Sequence, residues 1–321
     1  MNIKRLIAGL LAVSLLVTSF TGCTNSRSSP IKLVPQAANL VAEIQISNII
    51  NNPILIRAYD STTKNASYPQ TVQDALAKMI EKTGINIQDF SQILIFGDIN
   101  NIQNVKTGYM GVIAQGTFIE QQFIQNIEDK TGKTLSVIDY TGSKLYSDNS
   151  NQYSLVFFNS SMLVFGTPQA VKDCVDIRKG DKQSLTGTVI DTYNKLGSAT
   201  LRAAFAVPDE AKKTLENNIP GSSAASTQSL SKMDVLGLSL NIGIEDVTVN
   251  LDLHFLDATS AQDAKDTISG AVSLLKGTTT NSELKTLLGE IKFSTSDVWL
   301  TASLKTTLAE LQSLPGITTN K

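Results

Sequence analysis

Apolar residues in this chain fall into short alternating runs separated by stretches of helical spacing. Leu40, Ala42, Ile44 and Ile46 take every second position of 38–46, which predicts a strand with one face in water. Val72, Leu76, Met79 and Ile80 then recur at helical spacing, with Gly84 placed to end that helix. Ile93 to Phe96 is wholly apolar and reads as a central strand, and Tyr109 to Gln115 as another. Thr117 and Glu120 have capping-box spacing ahead of Phe123, Ile124 and Ile127, with Gly132 as the stop. Two hairpins follow, turning at Thr141-Gly142-Ser143 and at Asn159-Ser160-Ser161. A helix capped by Thr167, with Pro168 in its first turn, then places Ala170, Val171, Cys174 and Val175 on one face.

A second series of elements follows the same plan. The alternating run Ala199–Val207 matches the one at Ala38 at an offset of 161 residues, and Leu236–Ile244 and Val247–Phe255 make a strand pair. A helix is expected from about Thr259 to Leu275, with Ala261, Ala264, Ile268, Ala271 and Leu275 inward and Gly277 ending it. A helix near Glu283–Leu288, a strand near Asp297–Ala302 and a last helix opened by Thr307 and Glu310 complete the order; Asn217–Ser231 reads as a loop. Strands joined directly by hairpins and interleaved with helices predict an α+β fold. It consists of two related halves, 31–190 and 195–321, each a mainly antiparallel sheet with helices packed on one face. Chance similarity of short alternating strands is the competing explanation of the repeat.

The first 30 residues behave differently. Lys4 and Arg5 precede an apolar stretch from Leu6 to Val17, too short to cross a hydrocarbon core of about 30 Å and of the kind found in secretory signal peptides. The exit Phe20-Thr21-Gly22-Cys23 resembles the lipobox of bacterial lipoproteins, with Phe20 where leucine is usual. The resemblance implies a signal peptide over 1–22 and an acylated Cys23 that becomes the first residue of the mature chain. A flexible, small and polar stalk follows over 23–30. Two or more acyl chains make a stable anchor where one is marginal.

Composition narrows the partners. The chain carries 27 basic and 29 acidic residues, and loss of Lys4 and Arg5 leaves 25 against 29, about −4. That balance argues against nucleic acid and against electrostatic adhesion to anionic lipid, so membrane attachment rests on the lipid at Cys23. With Cys23 acylated, Cys174 is the remaining thiol and has no disulfide partner. Its helical face predicts a buried thiol, although Arg178 one turn on is placed to lower its pKa.

Several strings imitate catalytic motifs. Ser61-Thr62-Thr63-Lys64 has the S-x-x-K form of penicillin-binding proteins and serine β-lactamases, Ser147-Asp148-Asn149 reads S-D-N, and K-T-G occurs at Lys82, Lys106 and Lys130. The order fails, because no K-T-G follows Ser147, and two K-T-G copies are expected helix ends. Thr131-Gly132-Lys133-Thr134 lacks the earlier glycine of a P-loop, Ile127 standing in its place. His254, the chain's one histidine, shares a polar strand face with Asn250 and Asp252. Asp148-Asn149-Ser150-Asn151 has the flavour of a calcium loop without its glycine or distal glutamate. Trp299 is expected on a strand face with Thr301, packing in a core or lining a pocket. These readings assign no catalytic residue, no metal and no cofactor. They describe a lipid-anchored extracytoplasmic envelope protein, a binding or structural module for a protein or small ligand. A solute-binding lipoprotein of an importer and an envelope hydrolase stand as alternatives.

Overall fold

The apolar run at Ile93–Phe96 forms the middle of strand β2 (Phe90–Gly97), with Leu94 and Phe96 fully buried. The computed structural model describes residues 29–62, 69–101, 108–148, 150–218 and 228–313. Cys23, Lys64 and Asn149 lie outside these. The chain divides into two units: Ala42–Leu185 with the described residues before Asn39, and Asn39–Val41 with the residues from Thr186 onward.

In the first unit β2 is followed across the sheet by β3 (Met110–Gly116), β7 (Met162–Gly166), β6 (Ser154–Asn159), β5 (Ser143–Ser147) and β4 (Ser136–Tyr140). Each of these pairings is antiparallel. Helices α1 (Ile46–Ile50), α2 (Pro53–Thr62), α3 (Val72–Thr83) and α4 (Glu120–Thr131) supply one side of the core. Ile46, Ile50, Val72, Leu76, Phe90 and Phe118 cluster there with Leu155 and Leu163 of the sheet. Helix α5 (Pro168–Lys179) packs on the other face. Adjacent strand residues show the split: Phe157 meets the rings of Phe118 and Phe123, whereas Phe158 meets Arg178 of α5. The helices expected on one face are present, and α5 adds cover to the second.

The second unit is also α+β. Its sheet runs β8 (Leu201–Ala206), β9 (Met233–Ile242), β10 (Asp246–Phe255), β12 (Trp299–Thr307) and β11 (Lys292–Ser296), again antiparallel throughout. Helix α6 (Thr188–Lys195) precedes it, α7 (Asp209–Asn218) follows β8, α8 (Ala258–Thr278) and α9 (Ser282–Glu290) follow β10, and α10 (Leu308–Ser313) closes the described chain. Val207, Met233, Phe255, Ala261, Ala264 and Leu300 form its core. In each unit a strand pair, β2–β3 or β9–β10, leads into a helix, and a later strand, β7 or β12, returns to the free side of the second strand.

Several local expectations are corrected. Strand β1 (Leu40–Gln45) has no wet face: Val41 and Glu43 are buried, and Gln45 Nε2 donates to Glu43 Oε1 at 2.8 Å. A period-two reading sends a carboxylate to water unless a partner is foreseen. The Thr117–Glu120 capping box does not form; Ile119 is the N-cap, and Glu120 instead accepts the Tyr146 hydroxyl at 2.6 Å. Helix α8 runs past Gly277 to Thr278, and Leu275, expected inward, is exposed. Helices α1, α2, α6 and α7 and strand β11 carry no sequence expectation, while the Thr307–Glu310 box opens α10 as expected, Glu310 N donating to Thr307 Oγ1 and Thr307 N to Glu310 Oε2.

Candidate functional site

The β4–β5 hairpin turns through Thr141 and Gly142, both at positive φ (52° and 80°), the combination a tight two-residue hairpin needs. Its strands stay paired from Ser136↔Ser147 to Tyr140↔Ser143, but β5 pairs with β6 only from Ser147↔Ser154 to Leu145↔Val156. Beyond Leu145 the two strands part, while β6 continues through Phe157 against β7. The parting opens a groove of about 450 Å³. Lys144, Phe157, Phe158, Arg178, Lys179 and Glu120 line it, with Ser143 and Val175.

Two contacts hold its walls. The Tyr140 hydroxyl donates to Asp176 Oδ1 of α5 at 3.1 Å, tying the hairpin to that helix. Arg178 Nη1 donates to the Phe158 carbonyl at 2.7 Å, and its guanidinium lies 4.5 Å from the Phe158 ring centroid. Arg178 thus takes a carbonyl at the end of β6 where β5 has turned away, and it is held by a cation–π contact as well as by hydrogen bonding. Glu120, on the far wall, is held by Tyr146, whose own pKa is pushed up to about 12 by burial and then by that hydrogen bond.

In the second unit the polar face foreseen for His254 is assembled as a ladder. Asn250, Asp252 and His254 of β10 stand opposite Ser303, Thr301 and Trp299 of β12. Ser303 Oγ donates to Asn250 Oδ1 at 2.7 Å, and Thr301 Oγ1 to Asp252 Oδ1 at 2.5 Å. Lys195 Nζ of α6 lies 3.7 Å from the buried Asp252 carboxylate and 5.3 Å from the Trp299 ring centroid. His254 Nδ1 meets Asp234 Oδ1 at 2.5 Å. Trp299 therefore sits on a polar ladder rather than in the apolar core.

The remaining candidates separate. Ser147 ends β5, is buried, and shares a 2.8 Å hydrogen bond with Ser154 Oγ. Ser61 lies in the last turn of α2, not at the helix start that an S-x-x-K serine needs. Gly84 and Gly132 follow α3 and α4 as helix ends, so two K-T-G strings are C-caps. Asp148 accepts from Gln152 N and Ser150 Oγ within its own turn, which lowers its pKa. Among the described residues no group of three His, Cys, Asp or Glu side chains is placed to hold a metal ion. Cys174 is fully buried, and burial, reinforced by Asp173, raises its thiol well above the ordinary range. Arg178 is turned to Phe158 and does not activate it. The groove itself carries no sequence signal, since Lys144 and Arg178 are brought together only by the strand register.

No known family model matches this chain. It is 25% identical over 209 residues to the uncharacterized protein MJ0635 of Methanocaldococcus jannaschii, a match covering 62% of this chain and 66% of that protein, just under two thirds of its length. Among solved structures, crystal form I of TP0453 gives a TM-score of 0.48 at 11% identity, covering 90% of this chain and 96% of TP0453. Crystal form III gives 0.48 at 10% identity, covering 90% and 98%.

Proposed function

We propose that this protein is held on the extracytoplasmic face of a membrane by a lipid on Cys23 and acts there as a non-catalytic binding module, with the groove of the first unit as its ligand site. The observation that carries the binding reading is that groove: concave, about 450 Å³, and walled by side chains already fixed by Tyr140–Asp176 and Arg178–Phe158 contacts. The tether rests on the charged and apolar start, the Phe20–Cys23 exit and the polar stalk. The importer reading expects parallel βαβ sheets, whereas the registers in both units are antiparallel. The hydrolase reading needs Ser61 and Lys64 to converge with Ser147 in one pocket; Ser147 is buried and hydrogen-bonded to Ser154, and Lys64 lies outside the described residues.

Fractionation with a labelled fatty acid tests the tether. The wild-type chain takes up label and stays with membranes, and Cys23→Ser loses both. Undiminished membrane association of the variant overturns the lipid anchor.

A further inference from the structure

We propose that the groove between β5 and β6 binds a small organic dianion, a compact molecule bearing either a phosphate ester or two carboxylates. This deepens the binding-module reading and rests on it.

Charge is the first argument. Lys144, Arg178 and Lys179 converge on one groove of a protein whose mature charge is about −4. None of the three has an ion-pair partner among the described residues. Glu120 is the one carboxylate on the lining, and it is engaged by the Tyr146 hydroxyl. Three cations facing a common space repel one another, and a doubly charged ligand relieves that repulsion more than a single charge does.

Geometry is the second. Arg178 has five N–H donors, and one is given to the Phe158 carbonyl. The Phe158 carbonyl and ring together hold the guanidinium in place, so its remaining donors are presented with little further ordering. A fixed guanidinium suits the paired oxygens of a phosphate or carboxylate, while the two lysines act as adjustable point charges. Size is the third. About 450 Å³ lies in the lower part of the range for small-molecule sites, which is about 300–1,000 Å³. Phe157, half-buried at the groove wall, gives a short organic body something to lie against.

Titration calorimetry and amide-shift mapping on the full chain, with phenyl phosphate and phthalate as probes and inorganic phosphate and phenol as controls, test this. Phenyl phosphate or phthalate should bind at low salt, shift Ser143, Lys144, Phe157 and Lys179, and weaken in 0.15 M salt, where screening shortens to about 8 Å. Which of the two binds tighter tells phosphate ester from dicarboxylate. Arg178→Lys keeps the charge but loses the planar fork, and Lys144→Ala with Lys179→Ala removes two exposed charges; each should weaken binding about tenfold or more. Glu120→Gln should tighten it. Circular dichroism confirms that the variants fold, and the exposed lysine pair keeps the test open if Arg178→Lys does not.

Inorganic phosphate binding as well as phenyl phosphate overturns the organic body. Phenol binding as well as either dianion, with the same shifts, overturns the dianion but leaves a ligand groove standing. Failure of every probe to perturb the groove overturns both the dianion and the binding-module reading.

Discussion

The imidazole of His254 stands edge-on to the indole of Trp299, with ring centroids 4.7 Å apart and planes at 71°. The two are directly opposed across β10 and β12, and each is the only residue of its kind in the chain. Trp299 emission therefore reports on His254 alone among histidines. Removing the imidazole exposes one edge of the indole to water, so His254→Ala should move Trp299 emission to longer wavelength at constant pH; unchanged emission would contradict the contact between the two rings.

Burial raises the Cys174 thiol, and the neighbouring Asp173 carboxylate raises it further. The folded state then holds the thiol proton more tightly than the unfolded chain. The resulting stability is fully present below the unfolded thiol value of about 8.5 and is lost as pH rises beyond it. Urea unfolding between about pH 7.5 and 9.5 should show falling stability, flattened in Cys174→Ala. A thiol reagent should leave the native protein unlabelled and label it once denatured. Rapid native labelling would mean that α5 presents a different face.

Gly237 lies where α6 crosses the polar face of the second sheet. A Cβ added there would stand 2.7 Å from Thr192 Cγ2 and 3.2 Å from Leu196 Cδ2. Thr192 is fully buried, so it cannot yield into solvent. Gly237→Ala should destabilise the protein by about 1–3 kcal/mol. Gly270, inside α8 with nothing within 4 Å of an added Cβ, is the contrast. Gly270→Ala should stabilise by about 1 kcal/mol through helix propensity alone. Thermal melts of the two variants read both signs, and equal destabilisation would contradict the packing of α6.

What the sequence determined by itself was local. Alternation placed β1 and β8, and a wholly apolar run placed β2, because a strand's side chains take opposite faces whatever it packs against. Gly84 and Gly132 marked helix ends because a left-handed residue there needs no tertiary partner. The polar side of β10 was legible for the same reason: Asn250, Asp252 and His254 are spaced by two. Tertiary structure decided what those faces meet. Glu43 is buried and Glu120 leaves its helix cap because Gln45 and Tyr146 offer specific hydrogen bonds, which no local period encodes. The order in which β7 joins β3 and β12 joins β10 depends on long-range register. The groove exists because β5 follows β4 and parts from β6 after Leu145, so residues 34 apart, Lys144 and Arg178, come to face one space. Strand spacing records which side chains share a face, but only pairing between distant strands decides where a sheet opens.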